Sequence, residues 1–309
     1  MTDFASALDD FLATRHAMGY KLDVHRLVLR RFVGHLEAIG AEHLTIDEAL
    51  RWATQPPDAA PVWSAGKLGV IRVFARYLVA FDPATEVPPV ELLPEPSHRI
   101  VPYIYSDEDL GKVLVAADHL RTEHRADTYR NVISLVAVTG MRVGEAVRLD
   151  RGDVSWENGV LTIVRSKFGK SRQIPLHETT LEALAAYGER RDERRPKPKS
   201  PSFFTSSTGT RLLRDNVSTV FPRLVREAGL AKRGGHRSPR LHDLRHSFAV
   251  KCVISWYRDG VDVEARLPLL STYLGHVAPS TTYWYLTGVP ELFELVAERL
   301  DGAVSKLER

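Results

Sequence analysis

Through residues 2–81, apolar side chains recur every three or four positions. Phe4, Leu8, Phe11 and Leu12 form one such series, and Leu27, Leu29, Phe32, Val33 and Leu36 form a second that ends near Gly40. This period turns one face of each segment toward a core and predicts two amphipathic helices. Thr45-Ile46-Asp47-Glu48 has the form of a capping box, which opens a third helix; Pro56-Pro57 closes it. A fourth, from about Trp63 to Phe81, turns Leu68, Ile71, Phe74, Tyr77 and Leu78 inward and leaves Lys67, Arg72 and Arg76 on its other side. No strand is predicted here.

The texture then changes. Pro83, Pro88, Pro89, Pro94, Pro96 and Pro102 exclude a continuous helix and favour an extended strap over 83–102. Beyond it, Ser106-Asp107-Glu108-Asp109 supplies an N-cap with acid in the first turn, and helices follow through Val138. The β-rich runs Val160–Val164 and Ser171–Leu176 flank a short glycine-containing turn, the pattern of a hairpin. The remainder returns to helix, broken near 196–210 and 234–239. The expected fold is therefore mainly α: an all-α domain over 1–82, a linker over 83–102, and a mixed α+β, mostly helical domain over 103–309 with a small antiparallel sheet.

Length agrees with two domains, since 309 residues exceed the usual single-domain size. No apolar run approaches the roughly 20 residues of a membrane span, and the acidic start lacks the basic region of a signal peptide, so a cytoplasmic protein is expected. The single cysteine, Cys252, excludes an internal disulfide and a thiolate metal cluster, and reads as small core filler. Net charge is only +3, but its distribution is uneven: residues 1–96 carry 9 Lys/Arg against 13 Asp/Glu, and residues 97–309 carry 33 against 26. The basic excess sits in the second half, where it would favour encounter with a polyanion.

Candidate chemistry concentrates near the C-terminus, in Leu274-Gly275-His276-Val277-Ala278-Pro279-Ser280-Thr281-Thr282-Tyr283-Trp284-Tyr285-Leu286. A phenol is a weak nucleophile at neutral pH and needs neighbours that take its proton and hold the charge of its target. Three separated segments offer such a pocket: Thr139-Gly140-Met141-Arg142-Val143-Gly144-Glu145, Arg165-Ser166-Lys167-Phe168-Gly169-Lys170-Ser171-Arg172, and Leu241-His242-Asp243-Leu244-Arg245-His246. In that order these segments resemble the tyrosine recombinase (phage integrase) family, whose active site is Arg, Lys, His-x-x-Arg, His or Trp, then Tyr. The motifs span residues 103 to 290.

The resemblance implies a helical, SAM-like core-binding domain and a catalytic domain that close around DNA. It implies catalytic residues at Arg142, Lys167, His242, Arg245, His276 and Tyr285, the tyrosine standing nine residues after His276. Tyr283 is the competing nucleophile, two residues out of register. Two guanidiniums suit the negative charge of a phosphodiester in transesterification, each able to donate two parallel bonds. Alignment through Arg172-x-x-Pro175-Leu176 places the family lysine, a general acid, at Lys167, and Lys170 then reads as a backbone contact. His242 is a candidate to accept the tyrosine proton or to hydrogen-bond a phosphate oxygen, and Glu145 a candidate to orient Arg142. DNA contacts are expected from Arg26, Arg30, Lys67, Arg72, Arg76, Lys170 and Arg172, with the basic run 190–199 either a solvated loop or a further phosphate contact.

Swapping one phosphodiester for another conserves bond energy, so neither cofactor nor metal is expected. The expected partners are double-stranded DNA and further copies of the chain in a synaptic tetramer, with other recombinases or accessory proteins possible. Three alternatives compete: a type IB topoisomerase with similar residues, a non-catalytic DNA-binding protein on the same scaffold, and a metal-dependent hydrolase built on the i,i+4 pair His242 and His246. After Gly288-Val289-Pro290, Leu292, Val296, Leu300, Val304 and Leu307 recur at helical spacing; the stripe predicts a helix that buries itself on its own domain or on a neighbouring subunit.

Overall fold

In the computed structural model the described residues are 3–20, 22–93, 101–164, 171–230, 238–275, 292 and 297. The chain divides into two units, Met1–Arg99 and Ile100–Arg309.

The first unit is a four-helix core made of α1 (Phe4–Ala17), α2 (Asp23–Ala38), α3 (Ile46–Ala53) and α4 (Pro61–Leu78). Local signals set the starts. The Asp3 carboxylate accepts from the Ser6 amide at 3.0 Å, the Thr45 hydroxyl accepts from the Glu48 amide at 3.3 Å, and Pro61 occupies the first turn of α4. Phe4, Leu8, Phe11, Leu29, Phe32, Leu36, Ile71, Phe74 and Leu78 fill the core. Leu27, placed in the second apolar series, is instead half-exposed, because the buried stripe runs through Leu29, Phe32, Val33 and Leu36 at three- and four-residue steps and Leu27 falls outside it. The strap also differs from a free linker over its first half. Val87, Leu92 and Leu93 pack against this core, and Arg72 donates from Nε to the Pro88 carbonyl and from Nη2 to the Pro89 carbonyl, both at 2.7 Å.

The second unit contains α5 (Asp107–Asp118), α6 (Glu123–Thr139), the single turn α7 (Val143–Ala146), strands β1 (Val154–Ser155), β2 (Val160–Ile163) and β3 (Arg172–Pro175), then α8 (Glu178–Arg194), α9 (Arg214–Glu227), α10 (Asp243–Arg258) and α11 (Val263–Leu274). The sheet is antiparallel in the order β1-β2-β3, with Leu161 opposite Ile174 and Ile163 opposite Arg172. Period-2 alternation sends Leu161, Ile163 and Ile174 into the core. Helix α6 runs through the middle and packs on α5, α8 and α10, burying Val132, Ile133, Leu135 and Val136. A second apolar cluster joins α10 and α11 through Val250, Val253, Leu267, Leu270 and Leu274. The mainly α architecture with one small antiparallel sheet is the one expected from the sequence. No helix among the described residues is long and apolar enough to cross a membrane.

Candidate active site

Helix α6 ends at Gly140, whose φ of 61° is the left-handed conformation that terminates helices. A side chain would not fit there: a Cβ on Gly140 would lie 2.4 Å from the Phe248 ring and 3.1 Å from Leu274. The reversal throws Arg142 to the head of α7. Its backbone amide donates to Glu145 Oε2 at 2.9 Å and its Nη1 to Glu145 Oε1 at 3.0 Å. Its Nη2 reaches across the fold to the Gly275 carbonyl at 3.1 Å.

Arg245, on the first turn of α10, is 1% exposed. It donates from Nη1 to the Gly140 carbonyl at 2.8 Å and from Nη2 to the Leu274 carbonyl at 2.5 Å. The two arginines thus grip consecutive carbonyls, Leu274 and Gly275, where α11 ends in a second left-handed glycine, Gly275 with φ 68°. They fix the backbone immediately ahead of His276. Cβ placement at Gly275 would bring it to 3.2 Å from Arg172 Nη1 and 3.7 Å from Arg142 Nη1, so glycine also admits the guanidiniums.

Glu145 is the hub. Its side chain is 1% exposed and is held by Arg142 and by both terminal nitrogens of Arg172. Burial alone would raise this carboxyl, but the bonds from Arg172 and from the Arg142 amide, with the charge of both guanidiniums, hold it down to about 2. Arg172, expected as a DNA contact, is therefore spent inside the protein on this carboxylate. The sequence placed Glu145 beside Arg142 but gave no sign that Arg172, on a strand, closes the same pair.

His242 sits at the head of α10, in a turn held by Asp243. That carboxylate, fully buried, accepts from the Arg240 amide at 2.9 Å and from Arg240 Nη2 at 2.9 Å. Partial desolvation and the charges of Arg245, Arg240, Arg142 and Arg214 lower the His242 imidazole to about 4, so at neutral pH it is uncharged. Its ring meets that of His246 edge to face at 5.0 Å, and no third His, Cys, Asp or Glu joins the two in a metal-binding group among the described residues. The cavity in front of His242 has a volume of 470 Å³, with Arg142, Arg148, Arg214 and Arg240 in its wall. Arg148, Arg214 and Arg240 were not singled out by motif; all three fall outside the quoted segments or at their edges, and only folding collects them.

Lys167, Lys170, His276, Tyr283 and Tyr285 lie outside the described residues. Of the other basic positions, Lys67 differs most from its expected exposure. It is 8% exposed, its ammonium donates to the Gln55 carbonyl and stands 5.2 Å from the Trp52 ring centroid, because its aliphatic stem faces the helix core. Arg72 is committed to the strap carbonyls. Arg26, Arg30 and Arg76 are exposed. Within the run 190–199, three arginines are engaged internally: Arg190 and Arg194 share the Asp127 carboxylate at 2.8–2.9 Å, and Arg191, 4% exposed, donates to the Phe203 carbonyl and pairs with Asp192.

The profile of the phage integrase family matches residues 108–289, the stretch that carries Arg142, Arg172, His242 and Arg245. The chain belongs to the phage integrase family. Among relatives of this integrase, a protein of Sinorhizobium fredii described as an integrase/recombinase, y4rB, is 41% identical over 97% of this chain and 98% of its own. The tyrosine recombinase XerD of Mycobacterium tuberculosis is 29% identical over 90% of each chain. A lambda integrase tetramer bound to a Holliday junction shares the fold, with a TM-score of 0.62, 19% identity, and coverage of 90% of this chain and 79% of that one. The integrase is accordingly an enzyme of the tyrosine recombinase class, which breaks and rejoins DNA strands.

Proposed function

We propose that this integrase is a site-specific recombinase in which Tyr285 attacks a DNA phosphodiester held by Arg142 and Arg245. One observation supports the reading: the two guanidiniums converge on the Leu274 and Gly275 carbonyls, next in the chain to His276, and the charges of both act on His242. Each arginine positions charge where it develops on the non-bridging oxygens. His242 is uncharged in the free protein and so has a ring nitrogen open to the phenolic proton, and the charge of bound DNA phosphate raises its basicity toward that role. Lys167 then protonates the departing 5′-oxygen, leaving a 3′-phosphotyrosyl bond that the 5′-hydroxyl of a partner strand displaces. The first unit serves as the core-binding domain, with Arg26, Arg30 and Arg76 toward the duplex. The partner is double-stranded DNA, and the working assembly is a tetramer of the chain, as in the lambda integrase complex.

The test is covalent capture. Purified protein is incubated with fragmented genomic DNA of its host, and protein-linked ends are sequenced; Tyr285→Phe should abolish attachment while DNA binding persists, and Tyr283→Phe should retain it. The opposite result would assign the nucleophile to Tyr283. Duplexes carrying the captured site then separate recombination of paired sites from relaxation of a single supercoiled plasmid.

A further inference from the structure

The cavity beside His242 contains more positive charge than the reacting phosphate requires. Several arginines of this unit are answered by carboxylates: Arg151 by Asp192, Arg172 by Glu145, Arg190 and Arg194 by Asp127, Arg211 by Asp150, and, in the same cavity wall, Arg240 by Asp243. Arg148 and Arg214 line the cavity and are exposed, and among the described residues neither pairs with a carboxylate. Both approach one glycine. A Cβ at Gly144 would stand 3.7 Å from Arg214 Cδ and 3.9 Å from Arg148 Nη2, so the two side chains come together there from the turn after α7 and from α9. Arg148 is also preoriented, its Nε donating to the Gly144 carbonyl at 2.8 Å, a bond that does not use its terminal nitrogens. Uncompensated cations collected at one place repel one another and contribute nothing to folding. An anion that fills such a cluster relieves that repulsion.

We infer that this cavity is a second phosphodiester site, in which Arg148 and Arg214 hold the phosphate next to the one attacked, on the same strand. The inference rests on the reading that Arg142 and His242 face the reacting phosphate, since these two residues share a wall with Arg148 and Arg214. The rest of the lining suits the remainder of a nucleotide. Phe221 and Leu241 give an apolar floor for a deoxyribose, and 470 Å³ exceeds what a phosphate alone needs. Two fixed cations one phosphate away set the strand's register, so that the attacked phosphorus, and not its neighbour, lies between Arg142 and Arg245. Arg148 and Arg214 are thus positioning residues.

The experiment uses the full-length protein and duplexes carrying the captured site, in which each phosphate flanking the cleaved one is replaced singly by a neutral methylphosphonate. For the wild type, one replacement should slow covalent attachment by about tenfold or more, the loss of a charge-assisted contact. Arg148→Gln/Arg214→Gln should be slow on the unmodified duplex and indifferent to that same replacement, while keeping its sensitivity elsewhere. Its DNA affinity should fall less steeply with salt, the slope of log affinity against log salt shrinking by about 2. Both positions are exposed, so the variant keeps its fold, which a urea unfolding curve checks. A variant as sensitive as the wild type at every flanking phosphate, or with an unchanged salt slope, overturns the inference. The salt slope decides even for a protein that binds without cleaving, and a wild type that never attaches to DNA would instead defeat the assignment of Tyr285.

Discussion

Arg172 lays both ends of its guanidinium on Glu145, with Nη1 3.1 Å from Oε1 and Nη2 2.8 Å from Oε2. Since Arg142 uses the same carboxylate, a strand residue and a loop residue share one buried anion. Removing that anion leaves two cations poorly compensated. Glu145→Gln should therefore cost about 3 kcal/mol in urea unfolding at neutral pH. The pH dependence has a definite sign. The folded carboxyl sits at about 2, below its ordinary 4.5, so its stabilisation is present above 4.5 and is lost as pH falls toward 2. The wild-type advantage over Glu145→Gln should shrink across that window. An advantage that stays constant down to pH 2 would mean the carboxylate is not what holds the arginines.

His242 offers a second pH test. Desolvation and four guanidiniums lower it to about 4 from an ordinary 6.5, so above 6.5 it makes no pH-dependent contribution, and between 6.5 and 4 the unfolded chain binds the extra proton and stability declines as pH falls. Nitrogen-labelled histidine spectra of the free protein should show this ring titrating well below 6.5. Adding duplex DNA should move the titration upward, because phosphate charge offsets the arginines. A free-protein value near 6.5 would show that the arginines do not crowd the ring.

Much of this was legible in residue order. Apolar stripes at helical spacing gave three helices of the first unit and the capping box at Thr45 gave the other, while two β-rich runs gave the paired strands β2 and β3. Where the reading failed, the cause was tertiary. A lysine or arginine on the outer arc of a helix looks the same in sequence whether it meets solvent, as Arg76 does, or bends back to a carbonyl and a ring, as Lys67 does. Arg172 looked free for DNA because its partner, Glu145, is 27 positions away. The cavity of Arg148 and Arg214 had no signal at all, being assembled from a turn and a helix whose spacing in sequence carries no information about their meeting.

Gly140→Ala tests the turn that positions the arginines. The new methyl would stand 2.4 Å from Phe248 Cδ1 in a left-handed backbone conformation, which strains both chain and core. A loss of about 2 kcal/mol or more is expected in urea unfolding. Attachment to DNA should fall further than stability accounts for, since Arg245 takes its bearing from the Gly140 carbonyl. Adding Phe248→Ala should relieve the steric part of the loss; if the double variant is no better than the sum of the two single changes, the ring is not the obstacle.

Lys167 is tested by its leaving group. If it protonates the departing 5′-oxygen, Lys167→Ala should slow cleavage of an ordinary phosphodiester by roughly 10²–10⁴-fold. A duplex with a 5′-bridging sulfur at the cleaved bond needs no such proton, and on it the variant should approach the wild type. Equal loss on both duplexes would remove Lys167 from the acid role and turn attention to Lys170.

The stripe after Pro290 has one described anchor. Leu292 is 6% exposed and belongs to the cluster of Val250, Val253, Leu267, Leu270 and Leu274, so at this position the chain packs on its own domain. A buried leucine in such a cluster contributes to the stability of the isolated molecule, whereas one reserved for a neighbouring subunit contributes only in the assembly. Leu292→Ala should therefore cost about 2–5 kcal/mol in urea unfolding, with a midpoint independent of protein concentration. Truncation before Pro290 should lose at least as much. If both variants unfold as the wild type does when dilute, yet fail to pair two DNA sites, the leucine's working partner is another copy of the chain and the contact in the single molecule is incidental.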